Sequence, residues 1–380
     1  AGHCLRLRKS LYGLKQSPRN WNALLHVSLT DMHFTRSKLD HCVYMGVVDG
    51  HEMLIAVFVD DILIASSSSS AVATVVQAFE QKFPIKYMGL AEEFLGIRIC
   101  QKPGEISMDQ AHYVTELVEK KYPQYVGTRN SSTLPFVNEY IPRNEKPATA
   151  AQQRYVDEFP YGEIVGCLLY LSVVTRIDIS YSVGVLTRHV KSPTYAACKA
   201  ASRTLSYLSR TRHKGLVYRG TALNFHAFTD SDWASDQDTR RSTSGYLVIM
   251  AGAPVCWMSK LQPIVAVSSM EAEYIACFFC VQEIAWIRML LVDFRLARTM
   301  PTRTYIDNRS ARLLMLNPVH HARSKHIDIK YHWQRDKVED KTFKPLYVHT
   351  LDNRADILTK STTASIFHTH CDAMMVDIIS

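Results

Sequence analysis

The pattern of apolar and polar positions predicts the elements of this chain one after another. Between Met53 and Ala65, MLIAVFVDDILIA sets two apolar runs on either side of Asp60 and Asp61, which predicts a strand, a tight polar turn and a returning strand. The serine run Ser66 to Ser70 is expected in the loop that closes this hairpin. Thr133 to Gln153 carries Pro135, Pro142 and Pro147 among few apolar residues and predicts an extended linker. Tyr161 to Arg210 predicts two or three helices broken at Pro193. From Leu223 onward strand-like runs return (LNFHAFTD, SGYLVIM, PVCWMS, IVAVSS), ahead of a long helix over Met270 to Phe294. Another strand (TRTYID), helical stretches over Ser310–Leu316 and His321–Val338, a strand (FKPLYVHT) and a short terminal helix complete the order. Strands first, then helix alternating with strand, suit an α/β three-layer domain.

Composition narrows the class only a little. A chain of 380 residues, 47% hydrophobic and 21% charged, suits two or three globular domains. Its net charge of +8 favours polyanionic partners without selecting one. Nine cysteines stand without a recurring framework and no secretory leader is evident, so a reducing, non-secreted compartment without structural disulfides is expected. Cys277 and Cys280 lack a second Cys or His pair at zinc-site spacing and are expected on a buried helix face. The basic opening AGHCLRLRKSLYGLKQSPRNW, without an initiator Met, is expected to be the interior of something longer. MLIAVFVDDILIA is too short to span a membrane, and no membrane partner is expected.

Adjacent aspartates at a hairpin tip can present charge to divalent metal, as two-metal phosphoryl transfer requires. For FVDD taken alone, an Asp-rich tight turn is the better account. The flanking blocks separate the two: LYGLKQSPRNW upstream, then DHCVY, then FLGIRI downstream resemble, in order, the sequences around the YVDD hairpin of copia-type LTR retrotransposon reverse transcriptases. The resemblance implies that Asp60 and Asp61 are catalytic metal ligands. It also implies that Gln16, Ser17 and Pro18 lie by nucleotide and template, Lys15 and Arg19 near phosphates, and Phe94, Leu95 and Gly96 in the turn that grips the primer. That family uses a third aspartate, in a DVKTAFLNG-like block ahead of LYGLKQSP, which has no counterpart here. Asp31 and Asp40 lie on the wrong side of the motif to replace it, and Phe58 stands where the family has Tyr. The polymerase site is therefore expected to be incomplete in this chain.

YGEIVGCLLYL and TRIDISYSV resemble the same family's YRSIVGSLLYL and TRPDIAYAV, which implies thumb or connection helices that grip a hybrid duplex, with Gly162 in place of Arg and Ile177 in place of Pro. In the next helix Lys199, Arg203 and Arg210 fall four and seven apart and align positive charge on one face, either a phosphate track or a solvated surface.

The later blocks FTDSDWASD, SSMEAEYIAC, YIDNRSA and NRADILTK resemble, in order, the copia ribonuclease H blocks SDADWAGD, SSTEAEY, DNxSA and ADILTK. Asp230 ends an alternating strand, whereas Asp232 would point to the other side and is expected in a structural or turn role. Glu271 and Glu273 stand about 200° apart around a helix. Glu273 shares its face with Ala276, Cys277 and Cys280, small residues that allow close approach to a sheet, so Glu273 is the candidate ligand and Glu271 a capping residue. Asp307 closes an apolar strand and Asp356 opens the last helix. The resemblance implies that these four carboxylates hold two Mg²⁺ or Mn²⁺ ions, one activating water and the other stabilising the departing 3′ oxygen of RNA. His349 would be a proton shuttle or a plain surface residue. NPVHHARSKHIDIKYHWQRDKV resembles the family's NPVxHxRTKHIDxxYHxxRE helix, which implies that Arg323, Lys325, His326 and Lys330 contact the hybrid backbone.

The expected fold class is thus α+β and α/β: a partial reverse transcriptase palm over 1–132, linker and helical thumb or connection over 133–215, a ribonuclease H-like three-layer domain over 216–362, and an unassigned tail over 363–380. Hydrolysis of RNA in RNA–DNA hybrids is the expected activity. RNA template, DNA primer, dNTPs and other parts of a polyprotein are implied partners, in a cytoplasmic virus-like particle or in the nucleus. An inactive or domesticated nucleic-acid-binding remnant is the alternative. A phosphatase-like site on Asp230 and Asp232 would leave Glu273, Asp307 and Asp356 unexplained.

Overall fold

The computed structural model describes residues 6–127, 133–137, 140–143, 145–220, 225–316 and 328–378, with backbone alone for 328–331. Two compact units divide the chain: Ala1–Phe94 with Ile287–Arg298, and Leu95–Trp286 with Thr299–Ser380.

In the first unit, Thr35–Arg36, Val43–Val48, His51–Phe58 and Asp61–Ser66 form an antiparallel sheet in sequential order, flanked by helices Ser17–Asp31 and Ser69–Lys82. Alternation buries Met53 and Ile55 against Leu25, Leu29, Val75 and Phe79 of those helices. Gly46 permits the closest contact, since a Cβ there would meet the Phe34 ring at 2.7 Å. The serine run differs from its expected loop role. The strand continues to Ser66, and Ser68 caps the next helix by accepting from the Ala71 amide, because a hydroxyl satisfies an amide that the first helical turn leaves free. Asp293 ties its own segment to the sheet's first loop by accepting from the Ser37 hydroxyl at 2.7 Å.

The second unit is centred on a five-stranded sheet in the order Ala253–Leu261, Thr243–Met250, Phe225–Ser231, Thr302–Ile306, Phe343–Tyr347. The first three strands are antiparallel and the last two join in parallel. Helix Ser269–Asp293 buries Tyr274, Cys277 and Val281 with Ile306, Met315 and Phe343. By length and composition this helix could cross a membrane, yet Ala272 through Cys277 are all buried in the fold. Cys277 and Cys280 are free and buried, as a helix face requires. IVAVSS forms no strand: the Gln262 amide closes the ladder onto Ser242, Pro263 has no amide to extend it, and Val267 is left exposed.

Helices Tyr161–Val174, Ser180–Leu186 and Tyr195–Arg210 pack on this sheet instead of forming a body of their own. Ile164, Leu168, Leu205 and Leu208 share one core with Phe228, Leu247 and Leu358. The tail joins it through Phe367, Cys371 and Met375, and Val376–Asp377 pairs with Lys214–Arg219. The observed division therefore differs from the expected boundaries at 132, 215 and 362, because a continuous apolar core crosses all three, from Val114 and Leu117 through Ile164 and Leu208 to Leu358 and Phe367.

Candidate active site

Asp230 lies near the end of strand Phe225–Ser231, Glu273 in the second turn of helix Ser269–Asp293, and Asp307 immediately after strand Thr302–Ile306. Each offers a carboxylate oxygen, and these three atoms lie within 4.8 Å of one another. Among the described residues this is the group of three or more acidic, His or Cys side chains placed to hold an ion. The Ser231 amide donates to Glu273 Oε1 at 3.2 Å, and the buried Oε2 has no partner.

Asp356 sits on the 3₁₀ turn Arg354–Leu358. Lys360, one turn on, brings it to the group: its ammonium is 2.5 Å from Asp356 Oδ1 and 4.0 Å from Asp230 Oδ2. The Thr359 hydroxyl donates to Asp230 Oδ2. Asn353 fastens the turn to the strand, donating to the Thr229 carbonyl at 3.0 Å and capping Ala355 at 3.2 Å. Gly245 pairs directly with Asp230, and a Cβ on it would meet Thr359 Cγ2 at 2.7 Å and Leu358 Cβ at 2.8 Å. The absent side chain is what lets the Asp356 turn close on the sheet. Gly245→Ala should destabilise the protein by about 1–3 kcal/mol through overpacking. It should also weaken Mn²⁺ binding, as read by urea midpoint and calorimetry; an unchanged midpoint would show that the turn is not wedged on this strand.

The neighbouring acidic residues behave differently. Asp232 accepts from the Ser235 hydroxyl and the Thr243 amide, fixing the turn after the strand. Glu271 accepts from the Val267 amide at 2.8 Å while its own amide donates to Ser268 Oγ, a capping arrangement at the helix start. His349 is exposed, follows the strand beside Ile306 and accepts from the Leu351 amide.

Burial pushes the Asp230 carboxyl up to about 7, with Lys360 opposing and Asp356 and Asp307 adding to the rise. Glu273 is raised well above the usual carboxylate range by burial, then by Asp230 and Asp307. Burial also raises Asp356, against the pull of Lys360. A buried carboxylate cluster of this kind is short of positive charge, and hard oxygen donors suit a divalent cation such as Mg²⁺ or Mn²⁺. Because these groups ionise less readily folded than unfolded, their stabilisation is complete below the unfolded carboxyl pKa and is lost as pH rises through the folded values. In EDTA the melting temperature should fall between about pH 5 and about pH 8, and saturating Mg²⁺ should flatten that slope. Equal slopes with and without Mg²⁺ would contradict a shared ion site.

The first acidic pair is arranged otherwise. Phe58 pairs with Asp61 across a two-residue turn of Val59 and Asp60, and both aspartates are exposed. Val59 has φ of 54°, rare for a β-branched residue, and the Trp21 indole holds its carbonyl at 2.5 Å. Lys15, Gln16 and Arg19 are exposed at the start of helix Ser17–Asp31, where the Ser17 hydroxyl donates to the Leu11 carbonyl at 2.5 Å. Phe94 ends a short strand, and Leu95 and Gly96 take φ of 53° and 73°, as in a type I′ turn. Tyr170 donates to the Leu95 carbonyl at 2.5 Å. Lys199 and Arg210 are exposed and Arg203 is half-buried on their helix, with the Lys199 ammonium 5.8 Å from the centre of the Tyr155 ring. Arg323, Lys325 and His326 lie outside the described residues, as does the side chain of Lys330.

Comparison with known proteins decides the family. The family model described as reverse transcriptase (RNA-dependent DNA polymerase) matches residues 1–137. A Pol polyprotein from transposon TNT 1-94 of Nicotiana tabacum is 33% identical over 361 residues, covering 93% of this chain and 27% of that protein. A transposon Ty5-1 protein of Saccharomyces cerevisiae is 33% identical over 278 residues, covering 72% of this chain and 87% of its own length. The chain belongs to the copia-type retrotransposon Pol family. It spans about a quarter of the plant Pol polyproteins it matches. Among solved structures, a foamy viral protease-reverse transcriptase has a TM-score of 0.47 at 14% identity, covering 93% of this chain and 40% of its own. A ribonuclease H1 isolated from compost has a TM-score of 0.29 at 18% identity, over 36% of this chain and 94% of its own. Within the copia-type Pol framework, Gly245, Asn353, Thr359 and Lys360 are the residues that sequence reasoning did not single out. A glycine inside an apolar strand is the signal that could have found the first.

Proposed function

We propose that this chain cleaves the RNA strand of RNA–DNA hybrids at the Asp230, Glu273, Asp307 and Asp356 cleft, and that it does not extend a primer. The observation that carries this reading is the convergence of three carboxylates within 4.8 Å, drawn from three different elements. The four side chains are the proposed ligands of two Mg²⁺ or Mn²⁺ ions. Bound there, such ions supply a nucleophilic water and neutralise the departing 3′ oxygen. The protein's own groups orient the ligands: Thr359 holds one oxygen of Asp230, Ser231 holds one oxygen of Glu273, and Asn353 anchors the Asp356 turn. Lys199, Arg203 and Arg210, with Arg323, Lys325, His326 and Lys330, are the proposed phosphate contacts, and His349 the proposed proton shuttle.

The polymerase half of the proposal rests on the exposed Asp60–Asp61 pair. No third carboxylate joins it among the described residues. Lys15, Gln16, Ser17, Arg19 and the Phe94–Gly96 turn would then bind template, primer and dNTP productively only where a third carboxylate completes the Asp60–Asp61 pair. We place the chain in a cytoplasmic virus-like particle or in the nucleus. The test is to give the purified chain a primed RNA template with dNTPs and, separately, a labelled hybrid, each with Mg²⁺ and with Mn²⁺. Hybrid cleavage without primer extension is expected. Extension above background would overturn the polymerase half, and a folded chain inert on the hybrid would leave the binding-remnant reading in its place.

A further inference from the structure

Among the described residues, Lys360 is a cation placed against the cleft, and its position is not that of a surface lysine. Its ammonium makes a 2.5 Å ion pair with Asp356 Oδ1 and stands 4.0 Å from Asp230 Oδ2. Those two side chains are 7% and 2% exposed, while that of Lys360 is 41% exposed. The lysine thus reaches a buried carboxylate edge while part of its side chain stays in contact with solvent. Asp230, Glu273 and Asp307 form a mutual group of ligand atoms, and Asp356 is absent from it. The Asp356 oxygen nearest the lysine, Oδ1, is the one that Lys360 engages. Thr359, the adjacent residue, holds Asp230 Oδ2, so the chain segment carrying the lysine is itself anchored to the site.

Geometry and charge together restrict what can happen at this edge. An ammonium 2.5 Å from an oxygen takes up one of its lone pairs, and a Mg²⁺ ion about 2.0–2.1 Å from the same oxygen would lie within a few ångström of that ammonium. Two cations that close would also repel strongly in a site this buried. We propose that Lys360 is a tethered counter-ion that competes with a divalent cation for Asp356, so that the Asp230–Asp356 edge takes a metal only after the lysine swings outward. The displaced ammonium, on a side chain already partly in solvent, is then free to meet a phosphate oxygen of bound nucleic acid. Asp356 has two states in this scheme, paired to lysine at rest and ligating metal when loaded. The inference rests on the proposed metal cleft and adds the order in which its halves fill.

Mn²⁺ binding by the full-length chain, followed by calorimetry and by the electron paramagnetic resonance of free Mn²⁺, tests it without nucleic acid or turnover. Asp60→Asn with Asp61→Asn serves as the background, so that hairpin carboxylates do not contribute. The parent protein should bind one ion at the cleft. Lys360→Gln and Lys360→Met should bind two, and Lys360→Arg, which keeps the charge, should return to one. One ion in every variant, or two in the parent, overturns the competition. No ion in the parent, with binding still absent in Lys360→Gln, overturns the metal cleft itself. Melting provides the second measurement. In EDTA, removal of the lysine leaves the acidic edge unbalanced and should lower the melting temperature by about 2–4 °C. That deficit should vanish in saturating Mn²⁺, whereas a lysine that only packs would give the same deficit in both.

Discussion

Asp230→Asn should lower hybrid cleavage by about 10²–10⁴-fold, the rate equivalent of the several kcal/mol that a positioned metal ion supplies. The substitution keeps the volume of the side chain and its bond from the Thr359 hydroxyl, and removes only the charge. Burial already pushes Asp230 up to about 7, so an uncharged amide costs the metal-free fold little. In EDTA the variant should melt no lower than the parent, and in Mg²⁺ it should lose the parent's metal-induced stabilisation. Cleavage that falls less than tenfold would remove Asp230 from the ion site. A fall accompanied by a lower melting temperature in EDTA would reassign the residue to structure.

Asp178→Ala should remove about 3–5 kcal/mol of stability, a large share of the roughly 5–15 kcal/mol that holds a domain folded. Arg176 donates to both oxygens of Asp178, at 2.9 and 2.7 Å, and to the Thr211 hydroxyl at 2.6 Å, while the Tyr207 hydroxyl donates to Asp178 at 2.7 Å. Arg176, Asp178 and Tyr207 are all fully buried, so deleting the carboxylate leaves a guanidinium with neither water nor counter-charge. Burial acts to raise the Asp178 carboxyl, but Arg176 and then Tyr207 outweigh it and hold the group below its ordinary value. A lowered folded pKa gives stability that is present above the unfolded value and lost as pH falls through the folded one, so the pair also contributes to acid unfolding. Replacing both partners, as Arg176→Met with Asp178→Leu, should recover most of the loss. Urea midpoints measure all three proteins, and a single-variant loss below about 1 kcal/mol would mean that water reaches the site.

The sequence was most informative where chemistry needs a fixed residue at an element boundary. Asp230, Glu273 and Asp307 were legible because each stands where a strand or helix begins or ends inside a recognisable block, and they meet within 4.8 Å. The hairpin at Asp60 and Asp61 was legible from two apolar runs around a polar pair. The supports were harder to see. Gly245, Asn353 and Thr359 act through a close approach between segments more than a hundred residues apart, and no local period encodes such a contact. The Arg176–Asp178 pair stood inside a quoted motif, yet burial and the Tyr207 hydroxyl exist only after the helices pack. IVAVSS reads as a strand by alternation and is a loop, because the ladder ends at the Gln262 amide and Pro263 has no amide to carry it on. The boundaries expected at 215 and 362 are not seams for a related reason: the apolar core runs on across them through Leu208, Leu247, Leu358 and Phe367, a contact that no local pattern encodes.

The most direct measurement of the central claim is cleavage of an RNA strand, labelled at its 5′ end in one sample and its 3′ end in another and paired to DNA, by parent, Asp230→Asn and Asp60→Asn proteins. Water attack with a departing 3′ oxygen predicts products with 5′-phosphate and 3′-hydroxyl ends. These should form only with Mg²⁺ or Mn²⁺, vanish in Asp230→Asn and persist in Asp60→Asn. Cleavage that survives EDTA, that leaves 2′,3′-cyclic phosphate ends, or that disappears in Asp60→Asn while persisting in Asp230→Asn would contradict the account.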